Sequence, residues 1–309
     1  MSVARTLLLK VSDNQWLREN GTRVPFIRRA VSKFMPGESF DAMLVAAKAT
    51  TAEGNASVFT RLGENVKDLE EAGAVAAHYL EGIDRIKALN LSCEPSIKLT
   101  QLGLDIDREL AYRHLRDLAA RAHAAGNYLW IDMEQSPYVD LTLTLTRRLR
   151  EEFPRIGVCL QAYLFRTRED LEAITAKGIG IRLVKGAYNE PAAVAFPKKS
   201  DVDANYFALA QIMLGPAARA AGSRAVFGTH DLPLIQTIRG HAQTTGVKAS
   251  EYEFHMLYGI QKTAQLRLAQ EGALVRVLIA YGEYWFPWYM RRLAERPANV
   301  WFVAKSLFG

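Results

Sequence analysis

The sequence predicts an α/β chain folded as a (β/α)8 TIM-like barrel with an N-terminal helical arm. Three observations carry that expectation. Eight short β-like runs alternate with longer amphipathic stretches, and strict alternation of this kind implies a parallel sheet. The units together occupy roughly 250 residues, the size of a closed barrel. A doubly wound sheet, the structural alternative, usually carries a glycine-rich dinucleotide turn after its first strand, and neither GxGxxG nor a P-loop occurs in this chain.

In chain order, residues 1–55 form the arm, a helical-looking stretch broken at Pro36-Gly37 and resumed from Ser39 to about Thr50. Residues 56–309 form the barrel, so that 1–309 make a single domain. The expected strands are Ser57 to Leu62, Ser96 to Thr100, Tyr128 to Met133, Gly157 to Gln161, Gly180 to Val184, Ala225 to Gly228, Tyr252 to Met256 and Leu274 to Ile279. Each is followed by a helix-like segment, from Glu64 to Leu89 first to Pro287 to Arg296 last.

Alternation within the strands locates candidate chemistry at the C-terminal ends. In Ser96-Ile97-Lys98-Leu99-Thr100, Ile97 and Leu99 face the helix layer, so Lys98 points into the barrel. The same parity turns Asp132, Gln161 and Arg182 inward. An inward charge among branched apolar residues costs several kcal/mol, on the order of 2–7 for an unpaired polar group, unless it is paired or used. A cluster of such groups at one face is more often a site than a set of buried ion pairs.

The last helix adds a second constellation. Pro287 suits its first turn, Phe286, Met290, Leu293 and Ala294 form a core stripe, and Trp288, Arg291, Arg292 and Glu295 share a neighbouring face. Two arginines beside a tryptophan near the barrel mouth suit a carboxylate clamp, with a solvated basic helix end as the plainer alternative.

Composition narrows the partners. The 39 basic residues exceed the acidic ones by +6 but lie scattered among them, with no Lys/Arg block longer than a pair, which argues against a nucleic-acid binder. Cys93 and Cys159 follow no metal-ligand spacing and read as reduced, buried thiols. No metal site is expected. No apolar run approaches the eighteen or so residues of a spanning helix. The expected location is therefore the cytoplasm, with at most peripheral contact at the inner face of the cell membrane.

Several runs then carry a resemblance: Ile97-Lys98-Leu99-Thr100, Leu129-Trp130-Ile131-Asp132-Met133-Glu134, Gln161-Ala162-Tyr163, Arg182-Leu183-Val184-Lys185-Gly186-Ala187-Tyr188, Gly228-Thr229-His230, Glu253 to Gly259, and Arg291-Arg292. Together, and in this order across all the units, the chain resembles proline dehydrogenase in its short monofunctional bacterial form. The resemblance implies non-covalent FAD, oxidation of L-proline to Δ1-pyrroline-5-carboxylate by hydride transfer to flavin N5, and electrons passed to a membrane quinone. Pyrroline-5-carboxylate dehydrogenase would act downstream.

Carried over by position, the resemblance implies that Lys98, Arg291 and Arg292 hold the proline carboxylate and that Asp132 orients Lys98. Arg182 would sit beside flavin N5. Met133, Gln161, Lys185, Gly186, Ala187, Thr229 and His230 would line the cofactor, with Glu295 reaching its hydroxyls. Tyr188 and Leu257 would wall the substrate ring, with Trp288 facing it. Glu64 would pair with an arginine of the last helix as a gate, although a solvated first-turn acid is its plainer reading. Trp288 and Leu278 depart from the family, standing where substrate-contacting tyrosines are expected. Other readings remain open from the residues: a flavin barrel resembling methylenetetrahydrofolate reductase, a lyase using Lys98 or Lys185 as a Schiff-base amine, or a binder of nucleic acid or an anionic membrane drawn by the basic pI.

Overall fold

The computed structural model describes residues 31–286 and 288–290. Pro287, Arg291, Arg292 and Glu295 lie outside the described residues, as does most of the arm. The described segment of the arm ends in α1 (Phe40–Ala52), whose N-terminus is capped by the Ser39 hydroxyl, an acceptor for Ala42 N–H.

Eight parallel strands then close on themselves in sequence order: β1 (Ala56–Arg61), β2 (Cys93–Ile97), β3 (Leu129–Ile131), β4 (Ile156–Gln161), β5 (Gly180–Val184), β6 (Ala225–Gly228), β7 (Tyr252–Leu257) and β8 (Leu274–Tyr281). The register from Ala56 opposite Arg276 to Arg61 opposite Tyr281 closes the ring. Outside the strands lie α2 (Leu69–Ala88), α3 (Arg108–Ala124), α4 (Val139–Arg150), α5 (Thr167–Thr175), α6 (Lys199–Met213), α7 (Pro216–Ala220), α8 (Leu232–Thr244) and α9 (Lys262–Gln270). The caps follow the dipole rule. Asp68 accepts Glu71 N–H at the start of α2, and Arg85 and Lys87 occupy its last turn. Among the described residues no helix is long and apolar enough to cross a membrane.

The main core lies between strands and helices, where Phe59, Ile97, Ile131, Leu160, Ile181, Leu183 and Phe254 are buried. Inside the barrel the lower half is filled by Trp130 and an ion network. Trp130 Nε1 donates to Glu94 at 2.7 Å, and Arg224 meets Glu94 at 2.9 Å and Glu253 at 2.7 Å. Arg276 completes it at 3.3 Å from each acid. Gly157 leaves the space the indole occupies: a Cβ there would stand 2.4 Å from the ring. Burial drives the nearby His255 down to about 3, so its imidazole is neutral against Trp130.

The third strand is shorter than expected, at Leu129–Ile131, and the eighth runs on to Tyr281, but the second is the one displaced along the chain. The second begins and ends three residues earlier than the run Ser96 to Thr100, at Cys93 and Ile97. Glu94 and Pro95 disguise it: the first is an inward charge satisfied by the network, and the second cannot donate to a ladder. The Tyr79 hydroxyl from α2 bridges the gap beyond Pro95, accepting Arg61 N–H at 2.8 Å and donating to Ser96 O at 3.0 Å.

A second apolar cluster sits at the mouth. Val31, Met35, Leu62, Ala280, Trp285, Phe286, Trp288, Tyr289 and Met290 pack together, with Leu257 and Leu278 against them.

Candidate active site

Lys98 follows the last residue of β2, and its extended backbone (φ −109°, ψ 139°) preserves the strand parity that points it inward. It is 8% exposed, and none of the described residues forms a hydrogen bond or ion pair with its ammonium group. An enclosed cation without a partner is costly, so this position favours an anion.

Arg182, central in β5, is 2% exposed. One guanidinium nitrogen, Nη2, donates to Ser96 Oγ at 2.7 Å and to Asp132 Oδ1. The other, Nη1, is buried without a partner among the described residues. Burial opposes the charge on Arg182, but Asp132 and Cys159 beside it more than offset that, and its pKa is raised. Below it the Trp130 ring lies 5.2 Å from the guanidinium carbon.

The expected pair between Asp132 and Lys98 is therefore corrected: the hydrogen bonds of Asp132 go to Ser96, at 3.0 Å, and to Arg182. A closed barrel brings β5 across the lumen to the ends of β2 and β3, and a long arginine spans what adjacent-strand reasoning gives to lysine. Ser96 was overlooked in the sequence although it shares the inward parity of Lys98.

Gln161, at the end of β4, is buried with Oε1 lacking a partner among the described residues. Met133 is buried close by in the chain, after β3. The loop after β5 begins at Lys185, whose ammonium lies 2.5 Å from Asp203 and 2.6 Å from Asp231. Gly186 has φ +114° and lies on the Tyr163 ring, where a Cβ would come within 2.3 Å of a ring carbon. Ala187 follows, and the Tyr188 hydroxyl lies 3.3 Å from Glu64 Oε1, donating across the mouth. Glu190 ties this loop down by accepting from Ser136 N at 2.7 Å and Ser136 Oγ at 2.5 Å.

After β6, the Thr229 hydroxyl accepts Asp231 N–H at 3.1 Å. His230 Nε2 accepts Leu257 N–H at 2.7 Å, which puts the ring proton on Nδ1 and fixes the end of β7. Trp288 is buried in the mouth cluster with Leu257 and Leu278 packed against that cluster.

A further acid was not assigned from sequence. Glu134, 3% exposed, accepts from Thr100 N at 3.2 Å and from Thr100 Oγ1 at 2.5 Å. Burial pushes its pKa up to about 7 against the lowering effects of Thr100 and Lys98. Its signal in the sequence was available, since it stands two residues after Asp132.

The site thus combines a lysine without a hydrogen bond or ion pair among the described residues, a buried arginine held by a carboxylate, and polar atoms on Arg182 and Gln161 that lack partners among the same residues. It suits a small anionic substrate beside a polar group that exchanges hydrogen bonds with Arg182 and Gln161. The family described as proline dehydrogenase matches residues 43–305. Proline dehydrogenase 1 of Bacillus subtilis subsp. natto is 36% identical over 307 residues, covering 98% of each chain. Proline dehydrogenase 2 of Bacillus subtilis strain 168 is 34% identical, over 95% of this chain and 94% of that one. A proline dehydrogenase of Deinococcus radiodurans is 35% identical over 89% of each. Among solved structures, proline utilization A from Bdellovibrio bacteriovorus, inactivated by N-propargylglycine, superposes with a TM-score of 0.79 at 22% identity. That match covers 86% of this chain and 32% of the larger one, and shows the fold.

Proposed function

The chain belongs to the proline dehydrogenase family and oxidises proline, and on that premise we propose that it is an FAD enzyme converting L-proline to Δ1-pyrroline-5-carboxylate. The observation that carries this reading is that Lys98, a largely buried residue, has no hydrogen bond or ion pair on its ammonium among the described residues, at the same barrel mouth as Arg182, whose Nη1 is buried without a partner among them. The first suits the substrate's carboxylate, and the second suits an acceptor group on a cofactor. When bound, FAD supplies the acceptor for the hydride taken from the proline ring and delivers the electrons to a membrane quinone.

The chain's own residues do the rest. Lys98, together with Arg291 and Arg292, holds the carboxylate by charge-assisted hydrogen bonds. Arg182, aimed by Asp132 and Ser96, presents a fixed positive charge that favours the electron-rich reduced cofactor. Gln161, Met133, Lys185, Gly186, Ala187, Thr229, His230 and Glu295 would hold the cofactor. Tyr188, Leu257 and Trp288 wall the apolar ring of the substrate, and Glu64 closes over it and excludes water. Peripheral contact with the membrane brings the reduced enzyme to its quinone. The product passes to an aldehyde-oxidising step such as pyrroline-5-carboxylate dehydrogenase supplies.

The test is an absorption spectrum of the purified protein under anaerobic conditions. Flavin bands that bleach on addition of L-proline are expected. A protein that retains no flavin after incubation with FAD and removal of the excess, or flavin bands that proline leaves unchanged while NADH bleaches them, contradicts the proposal.

A further inference from the structure

Glu64 stands in the loop between β1 and α2, and the polar contacts that set this loop come from the exit of β2. Gln101 Nε2 donates to Arg61 O at 3.0 Å. Thr100 takes the next two positions: its hydroxyl accepts Asn65 N–H at 3.1 Å, and its carbonyl accepts Val66 N–H at 3.3 Å. Asn65 is held in the left-handed region at φ +54°, a conformation asparagine tolerates but that a non-glycine residue keeps only when its surroundings impose it. Its side-chain amide donates to Asp105 Oδ2 at 2.9 Å and to the Tyr138 hydroxyl oxygen at 3.1 Å.

Thr100 is fully buried and is itself gripped. Its backbone N–H and its hydroxyl both donate to Glu134. A hydroxyl has a single proton, so donation to Glu134 leaves its lone pairs for Asn65 N–H. The hydroxyl's orientation is thereby fixed from below, and with it the backbone of the residue next to Glu64.

We propose that Thr100 is a positioning residue for Glu64: held by Glu134, it sets where the Glu64 carboxylate meets Tyr188 across the mouth. The inference rests on the reading that Glu64 closes the proline site. Removing the hydroxyl takes away the acceptor of Asn65 N–H and loosens the backbone beside Glu64, although the Asn65 side chain keeps Asp105 and Tyr138. The loss should appear in substrate capture, because Thr100 is fully buried and presents no surface of its own to a ligand.

The test is a double-mutant cycle on the flavin-loaded enzyme with Thr100→Val, which keeps shape and removes the hydroxyl, and Glu64→Ala. Thr100→Val should raise the proline KM by about threefold to tenfold, the effect of one hydrogen bond, with a smaller change in kcat. Thr100→Ser should restore the parental KM. In the Glu64→Ala background Thr100→Val should leave KM where Glu64→Ala alone puts it. An equal rise in both backgrounds would overturn the inference, because Thr100 would then act through the fold or through Lys98. So would a parental KM for Thr100→Val while Glu64→Ala raises it. A parental KM for Glu64→Ala alone would instead remove the gate reading on which the inference stands, and the inference with it. If Thr100→Val does not accumulate as folded protein, Thr100→Ala, which also removes the hydroxyl, takes its place in the same cycle, with the same outcomes deciding.

Discussion

Asp132 offers one carboxylate oxygen to both the Ser96 hydroxyl and an Arg182 guanidinium nitrogen. The Arg182 side chain is 3% exposed, so removing the opposing negative charge leaves its buried charge uncompensated, at a cost on the order of 3 kcal/mol. Asp132→Asn should therefore slow flavin reduction by about one to two decades, with the proline KM much less affected and bound flavin retained. Anaerobic stopped-flow reduction measures both. A raised KM with an unchanged reduction rate would return Asp132 to Lys98. Glu134 makes a separate prediction through pH. Its folded pKa of about 7 lies above the ordinary 4.5, so between these values the folded protein binds more protons than the unfolded chain. Its contribution to stability is thus fully present below about pH 4.5 and lost as pH rises through 7. Glu134→Gln removes that titration. The variant's unfolding free energy relative to the parent should improve by about 3 kcal/mol from pH 4.5 to pH 8, and denaturant titrations giving parallel pH curves for the two proteins would contradict it.

At the scale of elements, legibility followed the purity of the hydrophobic pattern. Gly180–Val184 and Ala225–Gly228 are bounded as their apolar runs suggest, because each strand is flanked by residues that end the pattern abruptly. β2 was displaced because Glu94 and Pro95 look foreign to a strand, and the partners that make them acceptable, Arg224, Arg276 and the Tyr79 hydroxyl, come from remote parts of the chain. Inward parity singles out Lys98, Asp132, Gln161 and Arg182, since parity depends only on local alternation, and the structure buries Lys98, Gln161 and Arg182 and joins Arg182 to Asp132. Which of them touch depends on the closure of the barrel, which local alternation does not encode. Hence Arg182 takes the partner expected for Lys98, and the linkage from Glu134 through Thr100 to Asn65 emerges only once three loops converge. The resemblance, resting on several motifs in a fixed order, reached the function ahead of the geometry.

The whole molecule is polarised along the barrel axis. At the N-terminal end of the lumen Glu94, Arg224, Glu253 and Arg276 satisfy one another, an arrangement that serves stability. At the C-terminal end Lys98 has no hydrogen bond or ion pair among the described residues, and Arg182 keeps one nitrogen without a hydrogen bond among them. This contrast between closed and open electrostatics identifies the working face, and the central claim is that Lys98 is left open for a carboxylate. The most direct measurement is the inhibition constant of cyclopentanecarboxylate against proline oxidation in the parent and in Lys98→Met. This ring acid lacks the amine and cannot be oxidised, so it reports carboxylate binding alone. Loss of a charge-assisted hydrogen bond worth about 1.5 to 3 kcal/mol should raise the constant by about one to two decades while the flavin stays bound. An inhibition constant unchanged in Lys98→Met would contradict the account.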